Sequence, residues 1–154
     1  MFNQLDYPTV MMQDRNKSVA EEGCGFCSAL STFRYFGATY TVPEFNTALG
    51  THADLFDWAW APNASQGTAT WDGQYVYDRA SVVVGVYYHS EPVIVYLTKG
   101  SSTHFVAVYK VWGKWTDDNS FYIRDPWGDR NYQTIGQYVS NGWTPQSIFI
   151  YHRR

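Results

Sequence analysis

Residues 23–37 read GCGFCSALSTFRYFG and contain a helical pattern from Cys24 to Phe36. Within it, Phe26, Leu30 and Phe33 recur at spacings of four and three residues, which places them on one buried face of a helix. The acidic pair at residues 21–22 precedes this pattern, where carboxylates favour a helix N-terminus. Gly37 follows it as a helix-stop signal. The stretch therefore predicts one amphipathic helix that begins at a cysteine.

Elements on the C-terminal side of this helix differ in type from those near the N-terminus. Val42 to Leu49 is expected to form a second short helix with Pro43 near its first turn, and Thr51 to Asp72 to be irregular. Runs rich in Val, Ile and Tyr, separated by Gly, Asp and Asn, predict strands. These runs are Ser81–Tyr88, Pro92–Leu97, Thr103–Trp112, Phe121–Arg124 and Ser147–Tyr151. The pattern predicts an α+β fold, with the N-terminal helix packed on a C-terminal antiparallel sheet.

Length and charge exclude several classes of protein. The chain has 154 residues, a formal net charge of −3 and 45% hydrophobic residues, which suits a single domain over residues 1–154. No basic field favours nucleic-acid binding, and no apolar stretch is long enough for membrane insertion. Residues 1–10 lack the pattern of a secretory signal peptide. We therefore expect a protein that is cytoplasmic or delivered without a classical signal, for example a phage-encoded one.

Three residues carry a pattern typical of nucleophilic catalysis. Cys24 is at the first turn of the predicted helix, where the partial positive charge of the helix end favours the reactive thiolate. A cysteine nucleophile also needs a base, usually histidine, and a third group that orients the ring. His104 heads one predicted strand and Asp125 ends the next. If these strands pair as antiparallel neighbours, both side chains emerge at one sheet edge, near the helix terminus.

The same residues carry a resemblance to a known family. The run Gly23–Ser28, the strand containing His104, and Ile123–Gly128 with Asp125 resemble the motifs of papain-like cysteine peptidases of the bacteriocin-leader-processing, double-glycine type. This resemblance implies a papain-like fold with Cys24 as nucleophile, His104 as base and Asp125 orienting the histidine. It implies a free-standing peptidase domain that needs no metal or organic cofactor.

The resemblance also assigns residues around the reacting bond. It places Gln13, together with the backbone N–H of Cys24, at the oxyanion, and it favours Gly23, Thr103 and Trp127 as substrate-binding residues. Expected substrates are a peptide or protein, such as a leader peptide, or the stem peptide of peptidoglycan, as in cell-wall hydrolases and phage lysins. Amide-forming transfer to an amine stays open beside hydrolysis.

Departures from the family pattern leave alternatives open. Cys27 stands where the family motif usually has Thr and is a second candidate nucleophile, although the spacing to Gly37 favours Cys24. Glu21 stands where a papain-type spacing would put a Gln, and an acid there would oppose a developing oxyanion.

Other functions remain as alternatives. Cys24-Gly25-Phe26-Cys27 also matches the motif of thiol-disulfide oxidoreductases, although the run before it is polar rather than a buried strand. A catalytically inactive, peptidase-like binding module is the alternative from another class. No metal site is expected, because the histidines are scattered singly along the sequence. They are His52, His89, His104 and His152.

Overall fold

The structure, a computed structural model, describes residues 3–12, 17–128 and 132–154. Within these residues it contains short and long α-helices, 3-10 turns and two antiparallel sheets. The helices are α1 (Val19–Glu22), α2 (Cys24–Tyr35), α3 (Val42–Leu49), α4 (Arg79–Val83) and α5 (Ile135–Ser140). The strands are β1 (Met11–Met12), β2 (Lys17–Ser18), β3 (Ala69–Val76), β4 (Val93–Lys99), β5 (Ser102–Val111), β6 (Phe121–Arg124) and β7 (Thr144–Arg153).

The main sheet has five strands in the order β3-β7-β4-β5-β6, and each neighbouring pair is antiparallel. The strands β1 and β2 form a separate two-stranded ribbon. This arrangement confirms the predicted α+β class and the antiparallel sheet. Among the described residues, no helix has the length and apolar character that crossing a bilayer requires.

Helix α2 begins and ends close to its predicted limits. Gly37 follows its last turn with φ of +116°, a backbone conformation that favours glycine. Its apolar face is fully buried against α3 and the sheet, and the Ser28 hydroxyl donates a hydrogen bond to the Phe105 carbonyl of β5 at 3.3 Å. The helix that carries Cys24 is therefore fixed directly on the strand that carries His104.

Both faces of the sheet are covered. In β4, Ile94 belongs to the core beneath α2, while Val93 and Val95 belong to a second core beneath α4 and α5. Alternate residues of a strand point to opposite faces, so burial of both faces requires an uninterrupted apolar run. This requirement explains why β4 was recognisable from the sequence.

The prediction of a strand over Ser81–Tyr88 is wrong. This segment is helical: α4 ends at Val83 and continues as a π-helical turn over Val84–Tyr88. Asp78 caps the helix, because its carboxylate accepts hydrogen bonds from the Ala80 N–H at 3.2 Å and the Ser81 hydroxyl at 2.9 Å. The valines pack into the second core, so capping and tertiary packing override the strand preference of β-branched residues.

The remaining differences concern elements with weak local signals. The edge strand β3 begins inside the segment expected to be irregular, and a bulge interrupts its pairing with β7 between Trp71 and Gly73. Strand β7 is longer than predicted, and neither α1 nor α5 was predicted. Two of the unpredicted elements contain residues of the sites described next: Asp72 in β3 and Tyr138 in α5.

Phe33 provides a test of the core beneath α2. It is fully buried and packs edge-to-face on Tyr151, with ring centroids 4.9 Å apart. We expect Phe33→Ala to lower the free energy of unfolding by about 3–5 kcal/mol, because the substitution leaves a cavity. Val76→Ala, at a side chain that is 81% exposed, should change it by less than about 0.5 kcal/mol. Urea denaturation measures both, and equal effects would contradict this account of the core.

Candidate active site

His104 and Asp125 meet in the structure, and Cys24 lies close enough to the His104 ring to influence its pKa. Strands β5 and β6 are antiparallel neighbours, and Asp125 directly follows the last residue of β6. His104 Nε2 lies 2.7 Å from Asp125 Oδ1, and both side chains are almost entirely buried. The sheet pairing thus joins residues that are 21 positions apart in the sequence.

Asp125 is held by two further donors. The Trp127 N–H donates to Asp125 Oδ1 at 2.8 Å, which closes a turn through Pro126, and the Tyr138 hydroxyl donates to Oδ2. The carboxylate therefore has a fixed orientation in which Oδ1 accepts the hydrogen of His104 Nε2. Tyr138 belongs to α5, a helix that no clear sequence pattern marks.

The two ring nitrogens of His104 have different surroundings. Nε2 is bonded to Asp125, whereas Nδ1 has no hydrogen-bond partner among the described residues. The Cys24 thiol is nonetheless close enough to act on the ring. Burial lowers the pKa of His104, but the hydrogen bond to Asp125 and the interaction with Cys24 outweigh it and raise the pKa above 6.5. The surroundings of the ring therefore favour an imidazolium beside the thiol.

Aromatic rings surround His104 and restrict its movement. Trp127, Tyr138 and Trp143 have ring centroids 5.0, 5.7 and 6.4 Å from the imidazole. These contacts restrict rotation of the imidazole away from Asp125 and Cys24. Packing thus adds to the hydrogen bond in setting its orientation.

The two cysteines differ in their surroundings. Both are free thiols, but Cys24 is partly exposed, while Cys27 is fully buried in the core beneath α2. Burial, reinforced by the neighbouring Cys24, raises the pKa of the Cys27 thiol far above its ordinary value. Because the thiolate is the nucleophile, these surroundings favour Cys24 as the reactive residue.

Helix α2 begins at Cys24 without a side-chain cap. Its N-cap residue is Gly23, which has no side chain that could bond to the first N–H groups of the helix. Gly23 is buried, and a Cβ at this position would lie 2.3 Å from the Val19 carbonyl oxygen. Gly23 thus has a packing reason to be glycine, and it is not among the residues that line the cleft.

An open cleft of about 670 Å³ borders Cys24. Thr103 and Trp127, two of the predicted substrate-binding residues, line it, and so do several aromatic side chains. The aromatic lining residues are Phe26, Phe56, Trp58, Tyr96, Phe105, Trp127 and Phe149. Glu21, Glu22 and Asp54 add carboxylates to the wall, and no Lys, Arg or His is among the described lining residues.

Glu21 has a structural partner. It forms a capping box at the start of α1, in which the Ser18 N–H donates to Glu21 Oε2 at 2.8 Å and the Glu21 N–H donates to Ser18 Oγ at 3.2 Å. The hydrogen bonds from Ser18 lower the pKa of Glu21. Glu21, at the position where a papain-type spacing would place a Gln, therefore caps helix α1.

Gln13, the predicted oxyanion residue, lies outside the described residues. Another amide, Gln4, lines the cleft and is almost fully buried. Its Nε2 donates to the Ala20 carbonyl at 3.2 Å, and its backbone N–H donates to the Pro126 carbonyl at 2.9 Å. Gln4 thus links the segment before Cys24 to the loop after Asp125. No motif marks this residue in the sequence.

Comparison of the chain with protein-family models, with curated proteins and with solved structures gives no match in any of the three. We therefore infer a function from the contacts of Cys24, His104 and Asp125 and from the cleft beside them.

Proposed function

We propose that the protein is a papain-like cysteine peptidase that cleaves peptide bonds with Cys24, His104 and Asp125. The observation that supports this proposal is the position of the His104 ring. Its Nε2 is bonded to a fixed carboxylate, and its Nδ1 is left for a partly exposed thiol at a helix N-terminus. Cys24 as nucleophile, His104 as base and Asp125 as orienting group thus form the spatial sequence that acyl transfer needs.

The proposed reaction has two stages. The Cys24 thiolate attacks the carbonyl carbon of the substrate, and the amine leaves with a proton from the His104 imidazolium. Water then attacks the acyl-enzyme while His104 takes its proton, which releases the acid and restores the Cys24 thiolate and the His104 imidazolium. An amine in place of water would give transfer instead of hydrolysis. Asp125 keeps the Nε2 hydrogen on its own side of the ring, so proton exchange takes place at Nδ1.

The oxyanion requires hydrogen-bond donors next to the reacting carbonyl. The backbone N–H of Cys24 is one donor, because it stands at the uncapped beginning of α2. Gln13 is the second donor implied by the family resemblance. The position of Gln4 in the cleft wall makes its side-chain amide another candidate for this role.

The cleft favours one of the two substrate classes. Its wall combines aromatic rings with three acidic side chains, a lining that suits a peptide with a positively charged group near the scissile bond. The stem peptide of peptidoglycan, which contains a diamino acid, fits this description better than a leader peptide with small residues at the cut site. A zymogram on cell walls, run beside a peptide library that varies the charge of each position, separates the two classes.

Alkylation tests the mechanism before a substrate is known. At mildly acid pH an ordinary thiol is almost fully protonated, so rapid reaction with iodoacetamide requires a thiolate stabilised by its surroundings. We expect modification of Cys24 but not Cys27, mapped by mass spectrometry, and a rate roughly tenfold lower in His104→Ala. His52→Ala is the matched control, because His52 also contacts a carboxylate, Asp57, at 3.1 Å, but its ring stacks on Trp60 and it is not part of the Cys24, His104 and Asp125 group.

Two outcomes would contradict the proposal. Equal and slow labelling of both thiols would favour a binding module that retains the cleft without turnover. A disulfide between Cys24 and Cys27, found before reduction, would favour thiol-disulfide exchange. Circular dichroism of His104→Ala must match that of the wild type for the comparison to stand, because the ring is fully buried.

A further inference from the structure

Two histidines that are far apart in the sequence meet at a second site. His89 ends the helical segment that follows α4, and His152 lies near the end of β7. One ligand atom each from His89, Glu91 and His152 can be chosen so that all three lie within 4.8 Å of one another. Asp72 of β3 joins them through a 2.7 Å contact between its Oδ2 and His152 Nε2. None of these four residues lines the cleft beside Cys24.

The orientation of the potential ligand atoms is already fixed. The Arg153 N–H donates to Glu91 Oε1 at 2.9 Å, which leaves Oε2 directed at His152 Nδ1, 2.7 Å away. Asp72 accepts from the opposite ring nitrogen, Nε2, and its own Oδ1 accepts from the Tyr75 hydroxyl at 2.6 Å. A histidine that ligates a metal usually donates its other N–H to a carboxylate in this way.

The arrangement around His152 Nδ1 suits a cation. A carboxylate oxygen and a ring nitrogen at 2.7 Å need a hydrogen between them, and a metal ion can take its place and bind both atoms. With His89 as the third donor, the set is two imidazoles and one carboxylate, which Zn²⁺ accepts in sites that keep a fourth position for water. The calcium and magnesium ions prefer all-oxygen sites, so this donor set disfavours them.

We propose that His89, Glu91 and His152 bind a divalent transition-metal ion, with Zn²⁺ as the preferred one, and that Asp72 orients His152. The ion would connect the end of β7 to the turn that follows α4, and Asp72 would extend this connection to β3. The ion would therefore stabilise the contacts between these elements. The cluster is independent of the proposed peptidase chemistry.

Calorimetric titration with Zn²⁺ alone tests the proposal. The Cys24→Ser variant of the full chain is the starting protein, so that the thiol of the cleft does not compete for the ion. We expect one Zn²⁺ per chain, and a rise of about 5 °C in Tm at saturating Zn²⁺. His89→Gln should weaken Zn²⁺ binding at least about tenfold, because it removes one ligand. Asp72→Asn should weaken it about tenfold, because it weakens the hydrogen bond that orients His152.

The other histidines show whether Zn²⁺ binding is specific. His52→Gln is the matched control and should leave the Zn²⁺ affinity unchanged. In NMR spectra of the same Cys24→Ser variant, Zn²⁺ should shift the ring signals of His89 and His152 but not that of His52. His89 is exposed, so its variant is expected to fold even if a variant at His152 does not.

Absence of binding at millimolar Zn²⁺ would overturn the proposal, and so would an affinity that is unchanged in His89→Gln. In either case the cluster would be an ion-paired network around His152. Ring signals that shift at His52 as strongly as at His89 would show nonspecific binding and would also overturn it.

Discussion

Cys24→Ala is expected to lower kcat/KM by about 10⁴-fold or more, because it removes the atom that forms the acyl-enzyme. The matched change Cys27→Ala should retain activity within a few-fold, since Cys27 is buried in the core and distant from solvent. The two cysteines are three positions apart on one helix, so the comparison separates reactivity from the general effect of losing a thiol. Hydrolysis of the substrate found by the cell-wall and peptide screen is the measurement.

Binding by the same variants separates an enzyme from a binding module. Cys24→Ala keeps the aromatic and acidic walls of the cleft, so its affinity for the substrate should remain close to that of the wild type. Loss of turnover with retained binding supports the peptidase. If Cys24→Ala were as active as the wild type, or if Cys27→Ala were the inactive variant, the assignment of the nucleophile would be wrong.

Asp125→Ala should lower kcat/KM by about 10²–10³-fold, the range typical of losing efficient acid–base catalysis. The substitution removes the acceptor for His104 Nε2, for the Trp127 N–H and for the Tyr138 hydroxyl. Asp125→Asn is expected to retain more activity, because its amide oxygen can still accept the Nε2 hydrogen. A role in positioning the ring predicts this partial rescue, whereas simple loss of stability does not.

The pKa of His104 gives a second measure of the same contact. Asp125 and Cys24 raise this pKa in the folded protein against the effect of burial, so they stabilise the imidazolium. The stabilisation is fully present below the unfolded value of about 6.5 and is lost as the pH rises through the raised folded value. Both Asp125 variants should therefore lower the pKa of His104, observed in an NMR titration of the ring.

Asp118→Ala is the matched control for Asp125→Ala. Asp118 is also a carboxylate that accepts from a tyrosine hydroxyl, that of Tyr77 at 2.7 Å, and it pairs with Arg79 at 3.0 Å. Its partners are Tyr77 and Arg79 rather than His104, so its loss should reduce stability without changing kcat/KM or the pKa of His104. An unchanged His104 titration in Asp125→Ala would contradict the proposed triad.

Local sequence patterns predict those parts of the site that lie on helices and strands with a clear periodicity and clear boundaries. Helix α2 follows from the spacing of its apolar residues and from Gly37. Strands β4, β5 and β6 follow from runs of apolar and β-branched residues bounded by turn signals. Because β5 and β6 are joined in sequence and pair as neighbours, the meeting of His104 with Asp125 could be predicted. Its prediction needed no knowledge of the rest of the sheet.

Other parts of the site depend on contacts between distant segments. Tyr138 contacts Asp125 from α5, a helix with no clear signal in the local sequence. Gln4 enters the cleft wall from the N-terminal segment through hydrogen bonds to Ala20 and Pro126. The segment after Asp78 is rich in valine, yet a side-chain cap and burial in the second core make it helical. Such outcomes depend on tertiary packing, which local propensity does not encode.

The sequence by itself determined the α+β class, the helix that begins at Cys24 and the pairing of His104 with Asp125, because each rests on local periodicity or on neighbouring strands. Only the tertiary structure decided which cysteine is exposed, which side chains hold Asp125 in place, and that His89 and His152 lie together. Burial and side-chain proximity are set by how whole elements pack, and residues far apart in the chain meet only when the complete sheet has formed.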